Sequence, residues 1–257
     1  FATWRAGAAW RLDEATRLRA SAGTGFKEPT FFETYATGFV TGNPDLRPER
    51  SFSWEGGIEH TVPGTSLSLA VTYFDQRFRD LVVYDFTRTP NYVNIAAAQA
   101  NGVEVGVEWI VRSGVVASLA YTYLDTRVLD GGGDPTFETG KRLIRRPANA
   151  ATVRLASRLG RRGTATLGAR LVGDRDDLDF SPYPAPPGRV TLHPYTRVQA
   201  AVEYAVLQGR GGGPELTLEA QGENLLADPG REIANFPVRG RTLFFGMRLG
   251  AGSQGPR

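Results

Sequence analysis

A run of carboxylates between residues 174 and 179 has the clearest potential for metal chemistry. The stretch DRDDLD supplies four aspartates, Asp174, Asp176, Asp177 and Asp179. Calcium takes about six to eight oxygen ligands, so a loop of this kind could gather around one ion. The run lacks the central glycine and the terminal glutamate of an EF-hand loop. The alternative is a solvated acidic loop that binds no ion. We therefore expect that no cofactor is required and that calcium is the one candidate ion for this loop.

Aromatic side chains concentrate in the long polar stretches and could stack on a flat, macrocyclic or catecholate ligand. Aromatic rings offer a large contact area, and tyrosine adds a polar handle. The candidates for ligand contact are Phe31, Phe32, Tyr35, Phe39, Tyr84, Tyr92 and Tyr183. The alternative is that these rings pack loop against loop or lie at a membrane boundary.

No arrangement of residues for catalysis is found in the sequence. His60 and His193 are the only histidines, and both fall at turns or loop ends. Neither a Gly-x-Ser-x-Gly nor a His-Glu-x-x-His motif is present. The absence of cysteine excludes a disulfide scaffold and a thiolate metal site. We therefore predict that the protein is not an enzyme.

The composition argues against nucleic-acid binding and against a helical membrane span. The net charge is +3, from 30 basic and 27 acidic residues, which is too small an imbalance to indicate nucleic-acid binding. No stretch of about 18 apolar residues occurs, so a helical membrane span is excluded. A barrel is not excluded, because only every second residue of a barrel strand faces lipid.

Apolar and polar residues alternate in segments of about ten along the whole chain, as in strands with two different faces. Val103, Val105 and Val107, for example, interleave with Glu104 and Gly106. The pattern predicts eleven strands: Thr3–Leu12, Thr16–Gly23, Ser51–His60, Ser66–Asp85, Ala100–Ile110, Val115–Thr126, Pro147–Arg158, Gly163–Val172, Tyr195–Val206, Glu215–Asn224 and Arg241–Leu249.

Short turns and long polar connections alternate between these strands. The long connections are Thr24–Arg50, Phe86–Gln99, Arg127–Arg146, Gly173–Pro194 and Leu225–Gly240. A meander of this kind has one smooth rim and one elaborate rim, which is typical of outer-membrane barrels with short periplasmic turns and long extracellular loops. We therefore predict an all-β fold, an antiparallel up-and-down transmembrane β-barrel.

The polar face carries charges of both signs, which suits a watery or plugged interior. The charged residues predicted to face the interior are Glu104, Glu108, Arg154, Arg158, Arg170 and Arg197. Pairing across neighbouring strands is the favoured use of these charges.

The number of strands is odd, whereas single-chain bacterial barrels have an even number. We therefore expect the chain to be the C-terminal half of a 22-stranded barrel, the size of the plugged transporters.

Four segments carry a resemblance to a known family. The first, residues 23–60, contains GTGFKEP (residues 23–29) and GNPDLRPE (residues 42–49). The others are NIAAAQANGVEVGVEW (residues 94–109), KRLIRRPAN (residues 141–149) and ENLLADPGREIANFPVRGRTLFFGMRLG, which begins at residue 223. In this order they resemble TonB-dependent outer-membrane receptors, with loop lengths most similar to vitamin B12 and siderophore receptors.

The resemblance implies energy-coupled uptake of a scarce metal chelate of the cobalamin, siderophore or haem class across the bacterial outer membrane. It implies a barrel portion over 1–249 without its plug, and a tail over 250–257. The partners would be the ligand, outer-membrane lipid, and a TonB-type energy-coupling protein that acts through an N-terminal portion. The six charged interior residues would then contact the plug. No nucleic-acid partner is expected.

Two alternatives remain from the sequence. One is a passive porin-like channel, which would carry a constricting loop and no plug. The other is a soluble β-sandwich binding module, whose apolar faces would have to pack against each other.

Overall fold

The computed structural model describes residues 2–85, 87–131, 138–182, 185, 187–209 and 213–251. It contains thirteen strands and one short helix: β1 (Arg5–Arg11), β2 (Thr16–Lys27), α1 (Phe31–Tyr35), β3 (Glu49–Thr61), β4 (Leu67–Tyr84), β5 (Tyr92–Arg112), β6 (Val115–Asp130), β7 (Asn149–Leu159), β8 (Gly163–Val172), β9 (Arg175–Asp179), β10 (Gly188–Leu192), β11 (Tyr195–Leu207), β12 (Pro214–Glu223) and β13 (Thr242–Ala251). Eleven strands form one sheet, and β9 with β10 forms a separate hairpin.

The large sheet is an antiparallel meander in the order β1-β2-β3-β4-β5-β6-β7-β8-β11-β12-β13. Each strand pairs with the next one along the chain, except that β8 pairs with β11 across the inserted hairpin. The eleven predicted strands are therefore confirmed. This up-and-down order is that of a transmembrane barrel wall.

Connections of two kinds alternate around the sheet, as the sequence predicted. We call one edge of the sheet the short-turn rim, because it carries the connections 12–15, 62–66, 113–114, 160–162 and 208–213. The opposite edge, the long-loop rim, carries the connections 28–48, 85–91, 131–148, 173–194 and 224–241. All elements outside the large sheet, namely α1 and the β9–β10 hairpin, lie in the long-loop rim.

One predicted connection is wrong. Most of the stretch Phe86–Gln99 is strand, because β5 begins at Tyr92 and is 21 residues long. It pairs with the 18-residue β4 as far as Tyr84 opposite Tyr92. The run of small residues from 96 to 98 hides the alternation there. The partner strand, which single-strand periodicity cannot show, holds this segment in the sheet.

One face of the sheet is apolar and exposed. Residues opposite each other in the register share a face, and Val103 lies between Tyr73 and Tyr123 on this one. On β13, Phe245 is 81% exposed and Met247 is 72% exposed. A continuous apolar face of this extent marks a surface that meets lipid or another apolar partner.

The opposite face is polar and carries ion pairs between strands. Arg19 on β2 lies 3.8 Å from Glu55 and 3.2 Å from Glu59 on β3. This face is the predicted interior of the barrel. No helix in the described part of the chain is long and apolar enough to cross a membrane.

The two ends of the sheet are open within the described residues. The strand β1 pairs there only with β2, and β13 only with β12. The last strand continues to Ala251, two residues beyond the predicted end at Leu249, because it stays in register with β12 as far as Pro214 opposite Ala251.

A candidate ligand site at the long-loop rim

The segment GNPDLRPE fastens the 28–48 connection to the β4–β5 hairpin. The Asn43 amide donates to the carbonyl of Tyr92 at 2.8 Å. Arg47 donates from Nε to Asp80 Oδ1 at 2.8 Å, and its backbone exchanges two 2.9 Å hydrogen bonds with the side chain of Asn94. The residues that carry the sequence resemblance are therefore those that hold this loop in place.

Gly42 allows the loop to fold back on itself. A Cβ at this position would lie 2.6 Å from backbone atoms of Thr34, Tyr35 and Ala36. The Gly42 amide also donates to the carbonyl of Ala36 at 2.8 Å. Only glycine fits this close approach of two backbones.

The short helix α1 is held by a capping box that the sequence reading missed. The Glu33 amide donates to Thr30 Oγ1 at 3.2 Å, and the Thr30 amide donates to Glu33 Oε2 at 2.6 Å. Lys27 lies 3.7 Å from Glu33. Burial alone would raise the pKa of Glu33, but the hydrogen bonds with Thr30 and the charge of Lys27 outweigh burial, so the pKa lies below its ordinary value.

Three of the predicted aromatic residues form one cluster. The rings of Phe32 and Tyr92 meet edge to face with centroids 6.3 Å apart, and those of Tyr84 and Tyr92 do so at 5.4 Å. These are favourable distances for aromatic pairs. The cluster joins α1 to both strands of the β4–β5 hairpin at the long-loop rim.

The other predicted aromatics are arranged differently. Phe31 stacks on Tyr35 with ring centroids 6.3 Å apart, and both rings are exposed on α1. Phe39 is 99% exposed. Tyr183 lies outside the described residues. The seven candidates therefore divide into a three-ring cluster, an exposed pair, one isolated ring and one residue whose surroundings are not described.

The acidic run forms part of the β9–β10 hairpin, and its inner side is fully buried. Asp177 is 0% exposed and accepts hydrogen bonds from Arg145 Nε and from the Ala234 amide, both at 2.7 Å. One carboxylate thereby ties the hairpin to the 131–148 connection and to the 224–241 connection.

The other aspartates of the run also have protein partners. Arg142 lies 3.0 Å from both Asp174 and Asp176, and Arg189 lies 2.9 Å from Asp176. Hydrogen bonds from Ser181 lower the pKa of Asp179.

These contacts give the calcium prediction no support. Arginine guanidinium groups contact carboxylate oxygens of Asp174, Asp176 and Asp177 that calcium would need. Within the described residues, no group of three His, Cys, Asp or Glu side chains is placed to hold a metal ion. The sequence pattern showed four carboxylates but not the arginines that pair with three of them.

Tyr195 is the centre of a second contact between loops. Tyr195 is 4% exposed, and the guanidinium carbons of Arg175 and Arg197 lie over its ring, 5.2 Å and 4.6 Å from the ring centroid. Its hydroxyl donates to Glu232 at 3.1 Å. Gly230 packs so closely that a Cβ there would collide with Tyr195 Cβ. Sequence reasoning did not single out these residues, because three separate segments supply them.

The six charged residues predicted to face the interior do share one face of the sheet. The register places Ser118 opposite both Glu108 and Arg154, Thr122 opposite Glu104, and Arg170 opposite Arg197. The favoured pairing across neighbouring strands is wrong for these six. Arg197 pairs with Glu232 of a loop at 2.9 Å, and the other five make no ion pair within the described part of the chain. Their strand neighbours carry no opposite charge.

The comparison with protein families decides the identity of this fold. The profile of the TonB dependent receptor-like β-barrel family matches residues 1–225. The chain belongs to this family. The family and its structural neighbours are outer-membrane transport receptors of Gram-negative bacteria, not enzymes.

Solved structures share the fold with this TonB-dependent receptor barrel. The ferric-catecholate import receptor Fiu of E. coli K12 has a TM-score of 0.72 at 18% identity, over 95% of this chain and 34% of that one. The siderophore receptor PirA of Acinetobacter baumannii has a TM-score of 0.72 at 14% identity, over 95% and 40%. The ferripyoverdine receptor of Pseudomonas aeruginosa has 0.71 at 17%, over 95% and 32%. The chain thus spans about a third of the length of these receptors.

Proposed function

We propose that this chain forms part of the wall and outer loops of a receptor for energy-coupled uptake of a scarce metal chelate. Family membership supports the uptake role, and the exposed apolar face supports a position in lipid. The observation that carries the proposal is the aromatic cluster that the GNPDLRPE segment holds at the long-loop rim, which is the extracellular rim in this family.

The cluster of Phe32, Tyr84 and Tyr92 is the proposed contact for the ligand, with Phe31 and Tyr35 beside it on α1. A ligand site needs surfaces that are preformed, because ordering flexible side chains on binding costs free energy. The three-ring cluster meets this need, since the loop is hydrogen-bonded to both elements. The Asn43 backbone amide donates to the carbonyl of Glu33 in α1 at 2.8 Å, and the Asn43 side chain donates to the carbonyl of Tyr92 in the hairpin at 2.8 Å.

Ferric siderophores are the proposed first class of ligand, ahead of cobalamin and haem. The support is analogy alone: the three receptors compared above are named for ferric catecholates, siderophores and ferripyoverdine. Their identities of 14–18% show a common fold and do not transfer a ligand.

The proposed partners are a plug domain and an energy-coupling protein of the TonB type, the latter reached through an N-terminal portion of the receptor. Glu104 and Glu108 are the proposed contacts with the plug. Their lack of ion pairs within the sheet supports this use.

Uptake by the intact receptor tests the proposal. The receptor would be expressed in a strain that lacks its other siderophore and cobalamin receptors, with and without the energy-coupling protein. The probes would be a labelled ferric tris-catecholate, ferrichrome, haemin and cobalamin. We expect at least one probe to accumulate only when the coupling protein is present. Equal accumulation without it would indicate a passive channel, and no accumulation of any probe would contradict the proposal.

A further inference from the structure

A cavity of about 480 Å³ lies on the polar face of β7, β8 and β11, next to the long-loop rim. Four arginines line it, namely Arg154, Arg170, Arg197 and Arg239. Among its described lining residues the single carboxylate is that of Glu223, which already accepts a hydrogen bond from Gln221 at 3.1 Å. The cavity therefore has a clear excess of positive charge.

The register places two of these positive charges directly opposite each other. Arg170 on β8 faces Arg197 on β11, and like charges in such a pair destabilise a sheet. Glu232 offsets the charge of Arg197 at 2.9 Å. Arg154, Arg170 and Arg239 have no side-chain hydrogen bond or ion pair with the part of the chain that the structure describes.

The acidic residue of β5 in the same row as Arg154 is too far away to neutralise it. Glu108 and Arg154 lie in one row, but the neutral Ser118 of β6 lies between them. Two strand spacings separate the pair by about 10 Å. The neutral Ser118 of β6 thus keeps Glu108 apart from Arg154.

Unused hydrogen-bond donors accompany the unpaired charge. The Nε of Arg197 is buried and has no hydrogen-bond partner among the residues that the structure describes. An arginine side chain carries five N–H donors in a fork that fits carboxylate, phosphate and similar anionic oxygens. A cavity with these donors and this charge is suited to an anionic oxygen group and unsuited to a cation.

We propose that this arginine cavity binds anionic oxygens of the transported chelate, so that the receptor selects metal chelates of net negative charge. The inference rests on the proposed uptake function and deepens it, because it separates anionic chelates from neutral ones such as hydroxamate complexes. The position beside the extracellular rim places the arginines where a ligand would arrive from outside.

Binding of two iron chelates of different charge tests the inference. The intact receptor, purified in detergent, would be titrated with a triply negative ferric tris-catecholate and with neutral ferrichrome. The variants are Arg154→Gln and Arg170→Gln, with Arg170→Lys as the conservative change. Arg158→Gln is the matched control, because Arg158 lies on the same strand and face, is equally unpaired, and lines a different cavity near the short-turn rim.

We expect each glutamine variant in the cavity to bind the tris-catecholate about tenfold more weakly, which corresponds to about 1.4 kcal/mol. Arg170→Lys should recover part of this loss, and Arg158→Gln should bind like the wild type. Raised salt should weaken binding of the anionic probe to the wild type.

The possible failures are distinguishable. Preference of the wild type for ferrichrome, or an equal effect of Arg158→Gln and Arg170→Gln, would overturn the anionic site while the uptake function stands. If the wild type binds and imports no chelate of either charge, nor haemin or cobalamin, both the uptake function and this inference fail.

Discussion

The buried carboxylate of Asp177 should decide whether the β9–β10 hairpin stays docked. In Asp177→Asn the side chain keeps its shape but loses its charge, which weakens the hydrogen bonds from Arg145 and from the Ala234 amide. Removing one partner of a buried ion pair costs about 3–5 kcal/mol. The side chain of Arg145 is 41% exposed, so water takes over part of the lost interaction. We therefore expect a loss of about 2 kcal/mol.

Hydrogen exchange of the intact receptor in detergent measures this loss directly. A cost of about 2 kcal/mol corresponds to a roughly thirtyfold larger open population, because every 1.4 kcal/mol is tenfold. Protection of the amides in 175–179 and 188–192 should fall by that factor. The central parts of β6, β7 and β8 should keep their protection, because their hydrogen bonds lie within the large sheet.

Asp174→Asn is the matched control. Its side chain is 52% exposed and pairs with Arg142, which also pairs with Asp176. An exposed pair of this kind is worth less than about 1 kcal/mol. Equal protection of the hairpin in the two variants would refute the claim that the buried pair holds it.

Three other changes test the anchoring and the use of the aromatic loop. Gly42→Ala should lower the free energy of unfolding by about 2 kcal/mol and speed hydrogen exchange across 30–43, because the new Cβ would meet backbone atoms. Gly56→Ala is the control, since its Cβ would meet nothing within 4 Å and should leave that exchange unchanged. Equal effects of the two substitutions would contradict the close approach of the backbones at Gly42. The pKa of Glu33 is lowered from 4.5, so its cap stabilises α1 above that value, and this stabilisation is lost as the pH falls through the lower, folded pKa. Exchange of the α1 amides, corrected for intrinsic rates, should therefore rise only below pH 4.5, and a rise near pH 6 would contradict this. Tyr92→Ala should weaken chelate binding, measured by fluorescence quenching, about tenfold, and more than Phe39→Ala does. The reason is that Tyr92 contacts two other rings, whereas Phe39 contacts none among the described residues. The reverse order would exclude the cluster as the ligand surface.

The sheet was predictable from the sequence because its signals are local. Alternation of apolar and polar residues in β8 gave both ends of that strand, Gly163 and Val172, as the structure has them. The same signal failed in the first part of strand β5, where consecutive small residues show no alternation. Pairing with β4 sets that part of the strand, and pairing is not a local property.

The long-loop rim was only partly predictable. The anchoring of the loop by Asn43 and Arg47 lies in a recognisable motif, although its partners Asp80 and Asn94 do not. The capping box at Thr30 and Glu33 has a local signature, Thr-x-x-Glu, that the sequence reading did not use. The surroundings of Asp177 and Tyr195 depend on three connections that meet in space, so no spacing in the sequence indicates them.

The face of the interior charges could be predicted from the sequence, but their lack of charged partners could not. The alternation placed Glu104 and Arg154 on the polar face correctly. It could not show that β6 offers only neutral residues between them. The register, not the composition, leaves these charges available for another partner.

Accessibility of single cysteines tests the central claim, that the strands cross the outer membrane with the long-loop rim outside. The chain contains no cysteine, so Phe39→Cys and Arg161→Cys can be introduced one at a time into the intact receptor, with any cysteine elsewhere replaced. Whole cells would be treated with a membrane-impermeant maleimide. We predict labelling at position 39 in intact cells and at position 161 only after the outer membrane is permeabilised. Labelling of both positions in intact cells, or of position 161 alone, would contradict the account.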